Sequence, residues 1–183
     1  ESKWRPDLTL DAGGEMRGFN SLNRRLLVAL CFLIPPLLLL APVTLGSRTL
    51  LPVDNLISYE PWTSVADDFE LTAPESPHNL LLSDLILENY VWKRFISQAI
   101  EGREIPLWNP YLFAGVPFLA AGQHSMLYPF SVIFYLLPLD RAYGWFMLSQ
   151  YFLSGLLAYL FIRALGIGRW GGIVGGLTYQ LSL

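Results

Sequence analysis

Residues 83–138 read SDLILENYVWKRFISQAIEGREIPLWNPYLFAGVPFLAAGQHSMLYPFSVIFYLLP. The segment opens with an acidic, amphipathic helical pattern and passes through a dense run of Trp, Asn, Pro, Tyr and Gly. It ends in an apolar run, Met126 to Leu139, of fourteen residues including Pro129. Such a run is shorter than the ~20 residues a spanning helix needs, and it reads as interfacial or re-entrant. Apolar stretches flank the segment: Leu26 to Leu45 before it, with no charge, and Tyr143 to Leu165 after it, with Arg163 near its end. The pattern predicts an all-α integral membrane protein with a large, shaped loop held between spanning helices.

Composition agrees. The chain has 183 residues, of which 53% are hydrophobic and 15% charged, against about 25% charged in soluble domains. No basic patch accompanies the net charge of −3, which argues against nucleic acid as a partner. Cys31 is the only cysteine and lies in an apolar run, so disulfide scaffolds and thiolate metal sites are excluded. The sequence begins at Glu1 and stops at Leu183 within an apolar segment, and it is read as part of a longer protein.

Residues 1–25 carry five basic side chains, four acids and three glycines and read as a polar tail. Residues 26–45 then form a first span, kinked at Pro35 and Pro36. A signal peptide is disfavoured because the apolar core is too long and no small-x-small site follows it. Arg24 and Arg25 at the span's leading edge put the N-terminus in the cytoplasm. Residues 46–142 form the outer loop: from Gly46 to Arg141 eleven acids face five basic residues, as expected outside. Leu71 to Asn79 is a Pro-interrupted link within it. A second span covers 143–165, ~34 Å as a helix. Residues 166–169 turn in the cytoplasm beside Arg163 and Arg169, and 170–183 begin a third span. Its Gly171/Gly175 and Gly172/Gly176 pairs predict close helix packing.

Inside the loop, Ser83 is placed to cap a helix over 84–101 that Gly102 ends. Asp84 and Glu88 fall one turn apart on one face, and Lys93 and Arg94 lie toward the far end, as the helix dipole prefers. Leu85, Trp92, Ile96 and Ala99 form an apolar stripe interrupted by Asn89, suited to a membrane surface or to the spans.

Phosphate-loop glycines, HExxH and Cys/His metal spacings are absent from the sequence. Gly166-Ile-Gly168 lacks the strand and third glycine of a dinucleotide loop. His78 and His124 both fall outside the spans. The candidates are therefore carboxylates. Asp84 could serve as a general base toward a hydroxyl, or hold a metal near a lipid phosphate; its plain role is to start a helix. Asp54, in LLPVDNL, is the second candidate, otherwise a solvated juxtamembrane residue. Asp67 and Asp68 read as surface charges. Trp108, Asn109 and Tyr111 read as belt residues around a turn that could stack on a sugar or lipid headgroup. His124, with Gln123, reads as a buried polar partner or a substrate contact. Gln150 is the one strongly polar side chain deep in a complete span, too little for a transporter pathway.

The order LLPVDNL, then SDLILENYVWKRF, PLWNPYLFAGVPFLA, YPF and the glycine-rich final helix resembles the N-terminal portion of bacterial YfhO-type integral membrane proteins, over residues 48–183. These are similar to the GT-C superfamily of membrane glycosyltransferases. The resemblance implies a protein of the bacterial cytoplasmic membrane with a cytoplasmic N-terminus and a GT-C-like fold. It also implies a polyprenyl-phosphate-linked sugar as donor and a lipid, glycan or cell-wall acceptor outside. Asp84 best matches the acid that takes the acceptor's proton, and Asp54 comes second. Glu88 stands where such proteins often have Gln, an extra carboxylate placed with Trp108, Asn109, Tyr111 and His124 among expected substrate contacts. No cofactor is expected, and nothing in the sequence supports a divalent metal. The rival reading is a non-catalytic subunit that packs against a larger membrane complex through its glycine-lined span and outer loop.

Overall fold

A computed structural model describes residues 14–66, 68 and 79–182, with only the backbone for 14–21. The first part of the polar tail, Asp67 and the link over 71–78 with His78 lie outside the described residues.

The described chain is mostly helical. Its helices are α1 (Gly14–Leu39), α2 (Ala41–Thr44), α3 (Trp62–Val65), α4 (Tyr90–Glu101), α5 (Ile133–Leu136), α6 (Leu139–Ala164) and α7 (Arg169–Gln180). Two-residue strands β1 (Trp108–Asn109) and β2 (Val116–Pro117) pair antiparallel, Trp108 opposite Pro117 and Asn109 opposite Val116. Leu22–Leu39 and Leu139–Ala164 are each long and apolar enough to cross a membrane. At 1.5 Å per residue the 26 residues of α6 reach ~39 Å. Both helices leave large apolar side chains bare, among them Leu38 at 71% exposed and Phe161 at 65%. A core helix of a soluble protein would cover such side chains.

The helix bounds depart from the sequence reading at prolines. The first helix carries Pro35 and Pro36 inside it and ends at Leu39, with Leu40 a turn before α2, rather than running to Leu45. Residues 126–139 resolve into a 3-10 turn (Pro129–Val132) and the four-residue α5. Neither approaches the ~30 Å of a hydrocarbon core.

The chain divides into two units, Glu1–Pro36 with Phe152–Leu183, and Leu37–Tyr151. In the first, Val28, Phe32 and Ile173 form a buried cluster lined by Phe152, Leu156, Tyr159 and Leu177. Glycines set the closeness of this packing. A Cβ on Gly176 would stand 2.7 Å from the Phe32 ring and 2.9 Å from the Gly155 carbonyl, and one on Gly172 would stand 3.0 Å from Tyr159. The small-residue spacing of α7 is thus used for close contact within this unit. Pro36 has no N–H to give the carbonyl four residues back. That carbonyl, on Phe32, instead accepts a 2.7 Å hydrogen bond from Gln180 Nε2.

In the second unit one core joins Leu51, Ile86, Phe134, Ala142 and Tyr143. A smaller one joins Leu40, Val43 and Leu148. Gly144 lets α6 approach α2: its Cβ would lie 3.1 Å from the Val43 carbonyl. Aromatic edges and faces fill the larger core, with Phe134 4.9 Å from both the Tyr143 and the Phe146 rings. Tyr128 donates from its hydroxyl to Gln150 Oε1 at 2.8 Å, giving the polar side chain of α6 a partner.

Candidate functional site

The loop helix begins differently from its sequence reading. Asn79, not Ser83, supplies the cap: its Oδ1 accepts from the Leu81 N–H at 3.0 Å and starts a 3-10 turn over Leu80–Leu82. Ser83 is already helical and buried, and its hydroxyl donates to the Leu80 carbonyl at 2.7 Å. It also accepts from Asn55 Nδ2 at 3.1 Å. Asp84 follows, exposed, and Leu85–Asn89 form a π-turn before α4 continues to Glu101. The inserted residue of a π-turn interrupts the regular ladder, a feature concentrated at functional sites.

Asp54 sits in the 3-10 turn Val53–Ser58, which packs against that π-turn. The neighbouring Asn55 is fully buried and ties the two elements, donating to the Asn79 carbonyl at 2.8 Å as well as to Ser83. The two candidate aspartates therefore lie on adjoining elements. Asp68 is exposed.

Three of the expected contact residues come together. Glu88, Asn109 and Tyr111 line a cleft of about 430 Å³ between the helix and the β1–β2 hairpin, with Arg94, Gln98 and Trp92 also on its walls. The hairpin loop is shaped by Asn109, whose Oδ1 accepts from the Tyr111 N–H at 2.9 Å, an Asx turn. Phe113 (φ 49°) and Ala114 (φ 62°) lie in the left-handed region, strain that side chains other than glycine carry at a cost. The geometry leaves the Phe113 side chain 92% exposed at the cleft's rim. Trp108 faces a neighbouring depression that Tyr111 also borders.

His124 is placed otherwise. It is 2% exposed and stacked on Phe118 with centroids 4.2 Å apart. Its Nδ1 accepts from the Met126 N–H at 3.1 Å, and its Nε2 bonds the Phe118 carbonyl at 2.8 Å. Both ring nitrogens are committed to holding the loop, with Nε2 carrying the proton. Gln123 beside it is exposed.

Sequence reasoning missed Lys93. The helix dipole places it with Arg94 toward the far end of the helix, yet it is 1% exposed and shares the buried face with Ile86 and Ile96. Leu85, Trp92 and Ala99 are only half-buried. Lys93 Nζ donates to the His124 carbonyl at 2.7 Å and to Ser125 Oγ at 3.1 Å, and stands 4.5 Å from the Phe134 ring centroid. Burial pushes its pKa down to about 8, so the ammonium still predominates at pH 7. Only the periodicity Ile86, Lys93, Ile96 hinted at this.

Among the described residues no group of three His, Cys, Asp or Glu side chains is placed to hold a metal ion. Comparison with protein-family models, curated proteins and solved structures finds no match to this chain.

Proposed function

We propose that this chain belongs to an integral membrane glycosyltransferase of GT-C type, in the bacterial cytoplasmic membrane. It would transfer sugar from a polyprenyl-phosphate donor to an acceptor hydroxyl on the outer side. The single observation that carries the reading is Asp84: exposed at the head of the loop helix, directly before a π-turn, and one turn from a Glu88 that lines the aromatic cleft. In the proposed step an Asp84 carboxylate oxygen takes the acceptor proton as the acceptor oxygen bonds to the anomeric carbon. The bond from that carbon to the donor phosphate breaks, and the phosphate leaves with the electron pair. Tyr111 and Trp108 offer ring faces for a sugar, and Glu88, Arg94 and Asn109 offer hydrogen-bond partners beside them. Asp54 is the alternative base.

The test is incorporation of labelled sugar from polyprenyl-phosphate donors into membranes carrying wild type or Asp84→Asn at matched expression. Loss confined to the variant supports the reading, and equal transfer removes Asp84 from it. A second reading, a non-catalytic subunit of a larger membrane complex, is favoured by the exposed Trp170, Val174 and Tyr179 of α7. It predicts no transfer from either protein and co-purification with fixed partners.

A further inference from the structure

A second cavity lies on the other, buried face of the loop helix. It holds about 280 Å³ and is lined by Lys93, Asn89, Ser125 and Tyr143 on its polar side, with Leu85 and Met147 among its apolar walls. At about 30 Å³ per water it has room for a small headgroup and a few carbons of a chain.

Among the described residues the charge balance of this cavity is incomplete. An ammonium removed from water is costly unless an opposite charge accompanies it. Lys93 has a carbonyl, a hydroxyl and an aromatic ring, which offset part of that cost, but among the described residues no carboxylate lines the cavity. The polar groups around it are fixed. Asn89 Oδ1 accepts from the Tyr143 hydroxyl at 2.9 Å, which orients the Asn89 amide and leaves its NH₂ as a further donor type in the wall. Ser125 is held at φ 52°, with its carbonyl accepting from Ser131 Oγ at 2.7 Å. The ammonium and amide thus supply donors in a mainly apolar hollow, the arrangement of an orienting anion site in a hydrophobic pocket.

We propose that this cavity binds a single-chain anionic amphiphile, its phosphate or carboxylate head on Lys93 Nζ and its chain against Leu85 and Met147. The site is separate from the proposed transfer chemistry: Asp84, Asp54 and Glu88 are not among its walls.

The test uses the full chain in nanodiscs of zwitterionic lipid, with no sugar donor present, so its outcome does not depend on the transfer reading. Decyl phosphate, decanoate, decanol and inorganic phosphate are titrated against wild type, Lys93→Met and Met147→Trp. Saturable binding of decyl phosphate or decanoate is expected in wild type, weakened about tenfold or more by Lys93→Met, since a charged hydrogen bond is lost. Met147→Trp, which fills the apolar end, should weaken it too while leaving the ammonium in place. Whether phosphate or carboxylate binds more tightly identifies the head. Decanol binding as tightly as the anions would overturn the role of Lys93, and inorganic phosphate matching decyl phosphate would overturn the amphiphile. Absence of saturable binding, or equal binding by Lys93→Met, would overturn the site.

Discussion

Gln180 donates its side-chain amide to the carbonyl of Phe32, 2.7 Å away and 148 residues earlier in the chain. That carbonyl is the one Pro36 cannot engage within α1. The helix is thus broken in its ladder and mended from another helix, and the mend sits where Gly155 and Gly176 admit the Phe32 ring.

Removing the donor leaves a buried carbonyl unsatisfied. Gln180→Ala should lower stability by about 1–3 kcal/mol, read as a fall in thermal midpoint in detergent. A Pro36→Ala change in the same background returns an N–H to the Phe32 carbonyl and should recover part of the loss. No recovery would show that Gln180 acts through packing alone.

Gly176→Ala should be more damaging than its single methyl implies, because the new Cβ falls 2.7 Å from Phe32 and 2.9 Å from a backbone carbonyl. Overpacking of this kind costs about 1–3 kcal/mol. Gly102→Ala is the control: its Cβ meets nothing nearer than 3.4 Å, and its effect should be within a few tenths of a kcal/mol.

Lys93 carries a pH signature with a definite sign. Its pKa falls from 10.5 to about 8 on folding, through desolvation. Below pH 8 both states hold the proton and the cost of burial is constant. Between pH 8 and 10.5 the unfolded chain binds a proton that the folded one has released, so stability should rise with pH across that window. Lys93→Met should remove this rise. Unchanged alkaline behaviour in the variant would refute the assignment.

Asp54→Asn provides the internal comparison for the proposed transfer reaction. With Asp84 as the base, Asp84→Asn should lower transfer by about 10²–10⁴-fold, while Asp54→Asn should leave most of it. The reverse pattern would assign the role to Asp54. Glu88→Gln, in the cleft wall, is expected to raise the acceptor KM more than it lowers kcat.

Cysteine labelling tests the proposed topology, after Cys31, itself exposed, is changed to Ser. Gly168→Cys should label only from the cytoplasmic side and Arg141→Cys only from the outer side. Labelling of Gly168→Cys from outside would mean that residues 126–139 cross the membrane after all.

Local pattern alone determined a good deal. Apolar length located the two helices that are long and apolar enough to cross a membrane. Helical periodicity with Gly102 as stop marked a helix whose described end is Glu101. Glycine spacing in α7 announced close packing. These features were legible because each depends on residues a few positions apart. The tertiary structure decided the rest. It gathered Glu88, Asn109 and Tyr111 into one cleft and spent both nitrogens of His124 on the loop backbone. It also gave the Phe32 carbonyl its distant donor. Above all it buried Lys93, which the sequence places only with Arg94 toward the far end of the helix, although an ammonium is costly to desolvate. Among the described residues that cost is offset by the His124 carbonyl, Ser125 and the Phe134 ring, about thirty to forty residues away in the chain, and no local periodicity encodes their arrival.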